Sequence, residues 1–159
     1  MAMTATAHLR EGLTHDVDVN GRHVIVTDEP VSLGGQDSGP APHELLPATL
    51  AACVSTMIAM YAAGHGWPMR DLAVEVDYDT DAVPRRFDVR VLLPDGLSDQ
   101  QIARLRRVAD QCPVRRALEA GFAFEEELLT PAGPSLSGLS STAAARSLGS
   151  AAQSAARIR

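Results

Sequence analysis

LLPATLAACVSTMIAMYAA, residues Leu45–Ala63, runs for 19 residues without a charge. That is close to the length that spans a bilayer. Alanine dominates it, however, and Pro47, Thr49, Ser55 and Thr56 interrupt it, with no basic flank on either side. A buried central helix accounts for it better than a membrane span. A helix apolar all round needs cover on every side. A small domain has trouble supplying that cover alone, so a partner subunit is already implied. An interior proline loses a hydrogen bond and clashes one turn back. Within a helix from about His43 to Ala63, the regular part therefore begins near Leu46, with Pro47 in its first turn. Gly64 and Gly66 stop it.

Working outward, the loop Glu29–Pro42 precedes this helix and holds Gly34, Gly35, Gly39, Pro40 and Pro42. Before the loop, His15–Asp28 alternates apolar and polar residues around Asn20-Gly21. That pair favours a hairpin because both turn residues take positive φ. On the other side, Asp71–Tyr78 alternates strictly and predicts a strand with Leu72, Val74 and Val76 on one side. Arg86–Leu93 alternates through Phe87, Val89 and Val91, bounded by Pro84 and the Pro94-Asp95-Gly96 turn. Ser98 with Gln101 forms a capping box for a helix to about Asp110. Cys112-Pro113 opens a short helix ending at Gly121. Phe122–Leu129 reads as a last strand. The order ββ-α-ββ-αα-β is that of an α+β fold, not a doubly wound sheet.

The chain has 14 cationic residues, all arginine, against 20 acids, for a net charge of −6. Without lysine there is no Schiff-base amine, no phosphate-loop lysine and no lysine general base. The acidic balance argues against a nucleic-acid surface. The first 130 residues carry 11 arginines and all 20 acids; residues 131–159 carry three arginines and no acid. That last segment is low in complexity, rich in Ser, Ala and Gly, and reads as a mobile tail without chemistry. Residues 1–130 are expected to form a single domain. Met1–Glu11 has no apolar run and no secretory signal pattern, which makes the cytoplasm the default compartment.

Two cysteines, Cys53 and Cys112, are too few for a disulfide framework. A lone buried cysteine is most often an inert packing residue. Position shifts that balance. Cys53 lies about two turns into the long helix, behind the Gly-rich loop. Cys112 is at the N-cap of the next helix, with Arg115 and Arg116 in its first turn. Helix N-termini and guanidinium groups stabilise a thiolate, and the pair reads as an attacking and a resolving thiol. Whether two residues 59 positions apart meet in space is not legible. Metal binding by His43, His65, Cys53 and Cys112 lacks ligand spacing. There is no G-x-S-x-G for a serine hydrolase and no full phosphate loop at Gly34-Gly35. Arg104, Arg106 and Arg107 with Arg115 and Arg116 read as a solvated helix face.

GGQDSGPAPHELLPATLAACVSTMIAMYA (Gly34–Ala62), followed by ADQCPV (Ala109–Val114), resembles the OsmC/Ohr superfamily of osmotically induced and organic-hydroperoxide-resistance proteins. The resemblance runs from about Gly12 to Leu129 and is to the broader OsmC-like branch. It implies an α+β OsmC-like fold with antiparallel sheets packed on a long central helix, in an intertwined homodimer. It also implies a thiol-dependent peroxidase that reduces organic hydroperoxides without metal or bound cofactor. Cys53 would become a sulfenic acid and Cys112 would resolve it as a disulfide. A dithiol reductant, such as a lipoylated protein, would restore both thiols. In the clear branches a glutamate directly follows the loop proline and an arginine in the N-terminal strands orients the sulfur. Here His43 follows Pro42 and the glutamate is Glu44; Arg22 is nearest the arginine region, with Arg10 a second candidate. The alternative is a catalytically weak OsmC-like protein that senses redox state or binds a small ligand. No nucleic acid and no membrane partner are expected.

Overall fold

The computed structural model describes residues 3–130, and the expected tail, 131–159, lies outside them. Its strands and helices all fall within one compact unit, Met1–Phe122. The central element is α1, Leu45–Gly64. Pro47 is in its first turn, where the missing N–H has no helical acceptor to lose. Leu50, Val54, Ile58 and Ala62 recur every four residues and are buried along one stripe. Thr49, Ala52, Thr56, Met60 and Ala63 on the other side are exposed. The helix is long and apolar enough to cross a membrane, yet its buried stripe faces protein.

That stripe packs on strand β4 (Ala73–Asp79) and on helices α2 (Asp99–Ala109) and α3 (Pro113–Ala120). β4 pairs antiparallel with β5 (Arg86–Leu92), setting Val74 opposite Val91, Val76 opposite Val89 and Tyr78 opposite Phe87. The Tyr78 and Phe87 rings stack with centroids 4.4 Å apart. On the opposite face Arg90 pairs with Glu75 at 3.0 Å and with Asp77. The Ser98 box forms as expected at the start of α2: its hydroxyl accepts the Gln101 N–H at 3.3 Å, and Gln101 Oε1 accepts the Ser98 N–H at 2.8 Å. Gly121 then ends α3 with φ of 74°.

Two corrections concern the strands. The N-terminal sheet has three, not two: β1 (Ala5–Glu11), β2 (Thr14–Val19) and β3 (His23–Thr27), antiparallel in that order. Met1–Glu11 has no apolar run, but Ala5, Ala7 and Leu9 alternate with polar residues and pair with Val19, Val17 and His15. The β2–β3 turn holds Asn20 and Gly21 at φ of 57° and 65°, and Arg22 lies in it, since Val19 pairs with His23. Phe122–Leu129, by contrast, carries no strand among the described residues. A strand needs a hydrogen-bonded neighbour; lacking one here, Phe122, Phe124 and Leu128 are left exposed.

The loop from β3 to α1 is gathered around Asp28, which is buried. Its carboxylate accepts the N–H groups of Glu29, Gln36 and Ser38 at 2.9, 3.1 and 3.2 Å. Gly35 lies so close that an added Cβ would stand 1.8 Å from the Glu29 carbonyl oxygen. Glycine is required there for space.

Candidate functional site

The fold brings the two cysteines together. The sulfur of Cys112 is 2.7 Å from that of Cys53, and both thiols are free. Cys53 is on α1 beside the buried stripe and is half-buried, whereas Cys112 is fully buried at the N-cap of α3. The sequence places them by two unrelated devices. The four-residue apolar repeat of α1 orients Cys53 toward the core. Pro113 fixes the first turn of α3, so the next amide, that of Val114, is the first free N–H of the helix. That amide donates to the Cys53 sulfur.

The electrostatics differ from expectation. Burial pushes the Cys53 thiol up from its ordinary value, and the hydrogen bond with Cys112 adds to the rise, while the Val114 amide opposes it. Cys53 is the ninth residue of α1, beyond the first turn where the helix's own positive end acts; the helix terminus that reaches it is that of α3. Arg115 does not reach it by any ion pair or hydrogen bond in the structure. Its guanidinium is held by Asp110 at 2.7 Å and Glu119 at 2.8 Å.

Of the remaining candidates, Glu44 accepts the Ala41 N–H at 2.9 Å and is exposed. Nine residues along the helix separate it from Cys53, roughly 13 Å of rise. Arg22 is exposed in the β2–β3 turn, and Arg10 is paired with Asp16. Among the described residues no hydrogen bond or ion pair joins Glu44, Arg22 or Arg10 to either sulfur. Within one chain, then, the two thiols meet and the carboxylate and guanidinium candidates stand apart from them. Among the described residues, no three His, Cys, Asp or Glu side chains converge as a metal site. The Val114 amide escaped the sequence reading, although Cys-Pro-Val at a helix start was its signal.

A cavity of about 610 Å³ lies between α1, α3 and the β4–β5 hairpin, lined by Leu50, Leu118 and the Tyr78–Phe87 stack on its apolar side. Arg85, Arg86, Arg115 and Glu119 form its polar side. Sequence reasoning missed Arg85 and the cavity, because the lining comes from α1, α3 and the β4–β5 hairpin together.

The fold and the site define an α+β protein whose central helix presents one thiol to a second at a neighbouring helix N-cap. The profile of the OsmC-like protein family matches residues 35–127, more than half of the chain, and the chain belongs to that family. It is similar to the structure of an osmotic stress induced and detoxification response protein from Psychrobacter arcticus 273-4, at 25% identity and a TM-score of 0.62 over 71% of this chain and 85% of that one. An organic hydroperoxide resistance protein OsmC from Legionella pneumophila is likewise 25% identical, with a TM-score of 0.52 over 74% and 89%. An OsmC like protein from Mycoplasma pneumoniae, 20% identical, shares the fold with a TM-score of 0.61 over 75% and 88%. No curated relative matches the chain.

Proposed function

We propose that the protein is a thiol-dependent peroxidase that reduces organic hydroperoxides. The observation that carries this reading is the 2.7 Å separation of the Cys53 and Cys112 sulfurs. The half-buried Cys53 is the attacking thiol and the fully buried Cys112 the resolving one. As a thiolate, Cys53 attacks one peroxide oxygen; the O–O bond breaks and the alkoxide leaves, taking a proton to become an alcohol. Cys53 is then a sulfenic acid. The Cys112 sulfur displaces water from it and forms the disulfide, so two thiols and one hydroperoxide yield one disulfide, one alcohol and one water. A dithiol, such as a lipoylated protein, returns two electrons and two protons by exchange.

The raised Cys53 thiol needs a cation to ionise near neutrality. The proposed source is a homodimer, in which Arg22 and Glu44 complete the site. The exposed uncharged stripe of α1 and the open apolar face of the N-terminal sheet, with Leu9 and Ile25, support such a second subunit. Residues 1–130 are proposed as one domain, the remainder as a tail without chemistry, and the cytoplasm as the compartment. Steady-state reduction of cumene hydroperoxide with a dithiol tests the reading: turnover lost in Cys53→Ser supports it, and wild type no faster than Cys53→Ser with several reductants refutes it. The second reading, a redox-sensing or ligand-binding protein without turnover, is favoured by the raised thiol and by the distance of Glu44. One oxidation without repeated cycles in the same assay would select it.

A further inference from the structure

We infer that a groove between α1 and α2, separate from the thiol pair, binds a phosphate monoester with an apolar body, and that Arg104 and Arg107 hold the phosphate. The groove has a volume of about 640 Å³, a size that takes a small organic molecule. Met57, Met60 and Tyr61 of α1 and Val108 of α2 give it an apolar lining, and Arg104, Arg107 and Gln111 supply its polar groups. Neither cysteine lines it. Met57 and Tyr61 are half-buried and Met60 is exposed, so their apolar surface is open to a ligand.

In the sequence these arginines read as part of a solvated helix face; the structure sets two of them beside an apolar recess. Three residues apart on one helix, Arg104 and Arg107 project about 60° from each other, with Cβ atoms about 5–6 Å apart. Both can therefore reach one oxyanion. Among the described residues neither guanidinium is paired with a carboxylate, whereas Arg10, Arg86, Arg90 and Arg115 all are. No acid lines the groove. Asp110, three residues past Arg107, is held by Arg115 at 2.7 Å. The carbonyl end of α2 opposes an anion with about half a negative charge, which two guanidinium charges exceed. A phosphate monoester carries about 1.5 to 2 negative charges at pH 7 and matches the pair. A carboxylate would leave one cation unmatched, and inorganic phosphate would leave the methionines and Tyr61 uncovered. The surface is a recess and not a raised apolar edge, so its occupant is a free molecule and not a lipid held in a bilayer.

Calorimetry with octyl phosphate, kept below its micellar concentration, tests the site on the full chain. Wild type is expected to bind it about tenfold more tightly than inorganic phosphate. Methyl octyl phosphate, which keeps the chain but carries a single charge, is also expected to bind about tenfold more weakly. The double substitution Arg104→Gln with Arg107→Gln removes this preference, Arg106→Gln on another side of α2 keeps it, and added salt erodes it. Cys53→Ser binds octyl phosphate as wild type does, whether or not the protein turns over hydroperoxides. Absent binding in wild type, equal affinity for the monoester and the diester, or a preference that survives the double substitution overturns the inference. Binding lost in Cys53→Ser also overturns it, by moving the ligand to the thiol pair. Vesicles containing phosphatidic acid are expected to leave the protein in solution; vesicle binding without octyl phosphate binding would assign the groove to a membrane surface and overturn the inference.

Discussion

Two thiols in contact influence each other before either meets a substrate. Burial and the Cys112 sulfur both favour the neutral form of Cys53, and only the Val114 amide favours its thiolate. In Cys112→Ala one of the raising influences is gone, so the pH profile of Cys53 alkylation by iodoacetamide shifts to lower pH than in wild type. A profile that does not move, or moves upward, contradicts this ordering of causes. Asp28 titrates in the opposite sense. Burial alone would push its carboxyl up, but the amides of Ser38, Gln36 and Glu29 and the Thr14 hydroxyl outweigh it and hold it below its ordinary value. A depressed carboxyl contributes stability that is present above the unfolded pKa and is lost as pH falls through the folded one. Asp28→Asn should lower Tm near neutrality by on the order of 5 °C and flatten the acid limb of Tm against pH. The two cysteines were legible in the sequence as a pair because each has a distinctive local setting. Asp28 was not, since its partners come from loops and strands that no local pattern joins.

Local signals decide most elements. Pro47, Ser98 with Gln101, and Pro113 each mark a helix start where the structure has one. Ser98→Ala removes the acceptor of the Gln101 N–H, leaves that donor to water, and costs about 1 kcal/mol, read as a lower midpoint in urea unfolding. No change in midpoint would mean that the cap contributes nothing to α2. Strands were less legible. β1 is built on Ala5 and Ala7, whose alternation is too weakly apolar to stand out, and its ladder with β2 decides it. Phe122–Leu129 has the stronger pattern yet no ladder. Strand formation depends on the neighbour as much as on the segment, and a neighbour is not written locally.

At the scale of the molecule, α1 is uncharged over its whole length as the sequence reads, but a single chain buries only one stripe of a helix expected to be covered on every side and leaves the other exposed. The exposed stripe and the open face of the N-terminal sheet lead to the proposed homodimer. Sedimentation velocity at micromolar concentration is expected to give twice the single-chain mass of 16.8 kDa. A compact species of single-chain mass would remove the second subunit and with it the proposed source of Arg22 and Glu44. The proximity of the sulfurs was beyond the sequence, because a separation of 59 positions fixes no distance, and it is the feature on which the function rests. Intact mass after one equivalent of cumene hydroperoxide tests it most directly. The account predicts a loss of two hydrogens in the wild type, from a Cys53–Cys112 disulfide, and an added oxygen in Cys112→Ser, from an unresolved sulfenic acid. A wild-type chain that keeps its reduced mass, or gains one oxygen and stays there, would contradict it.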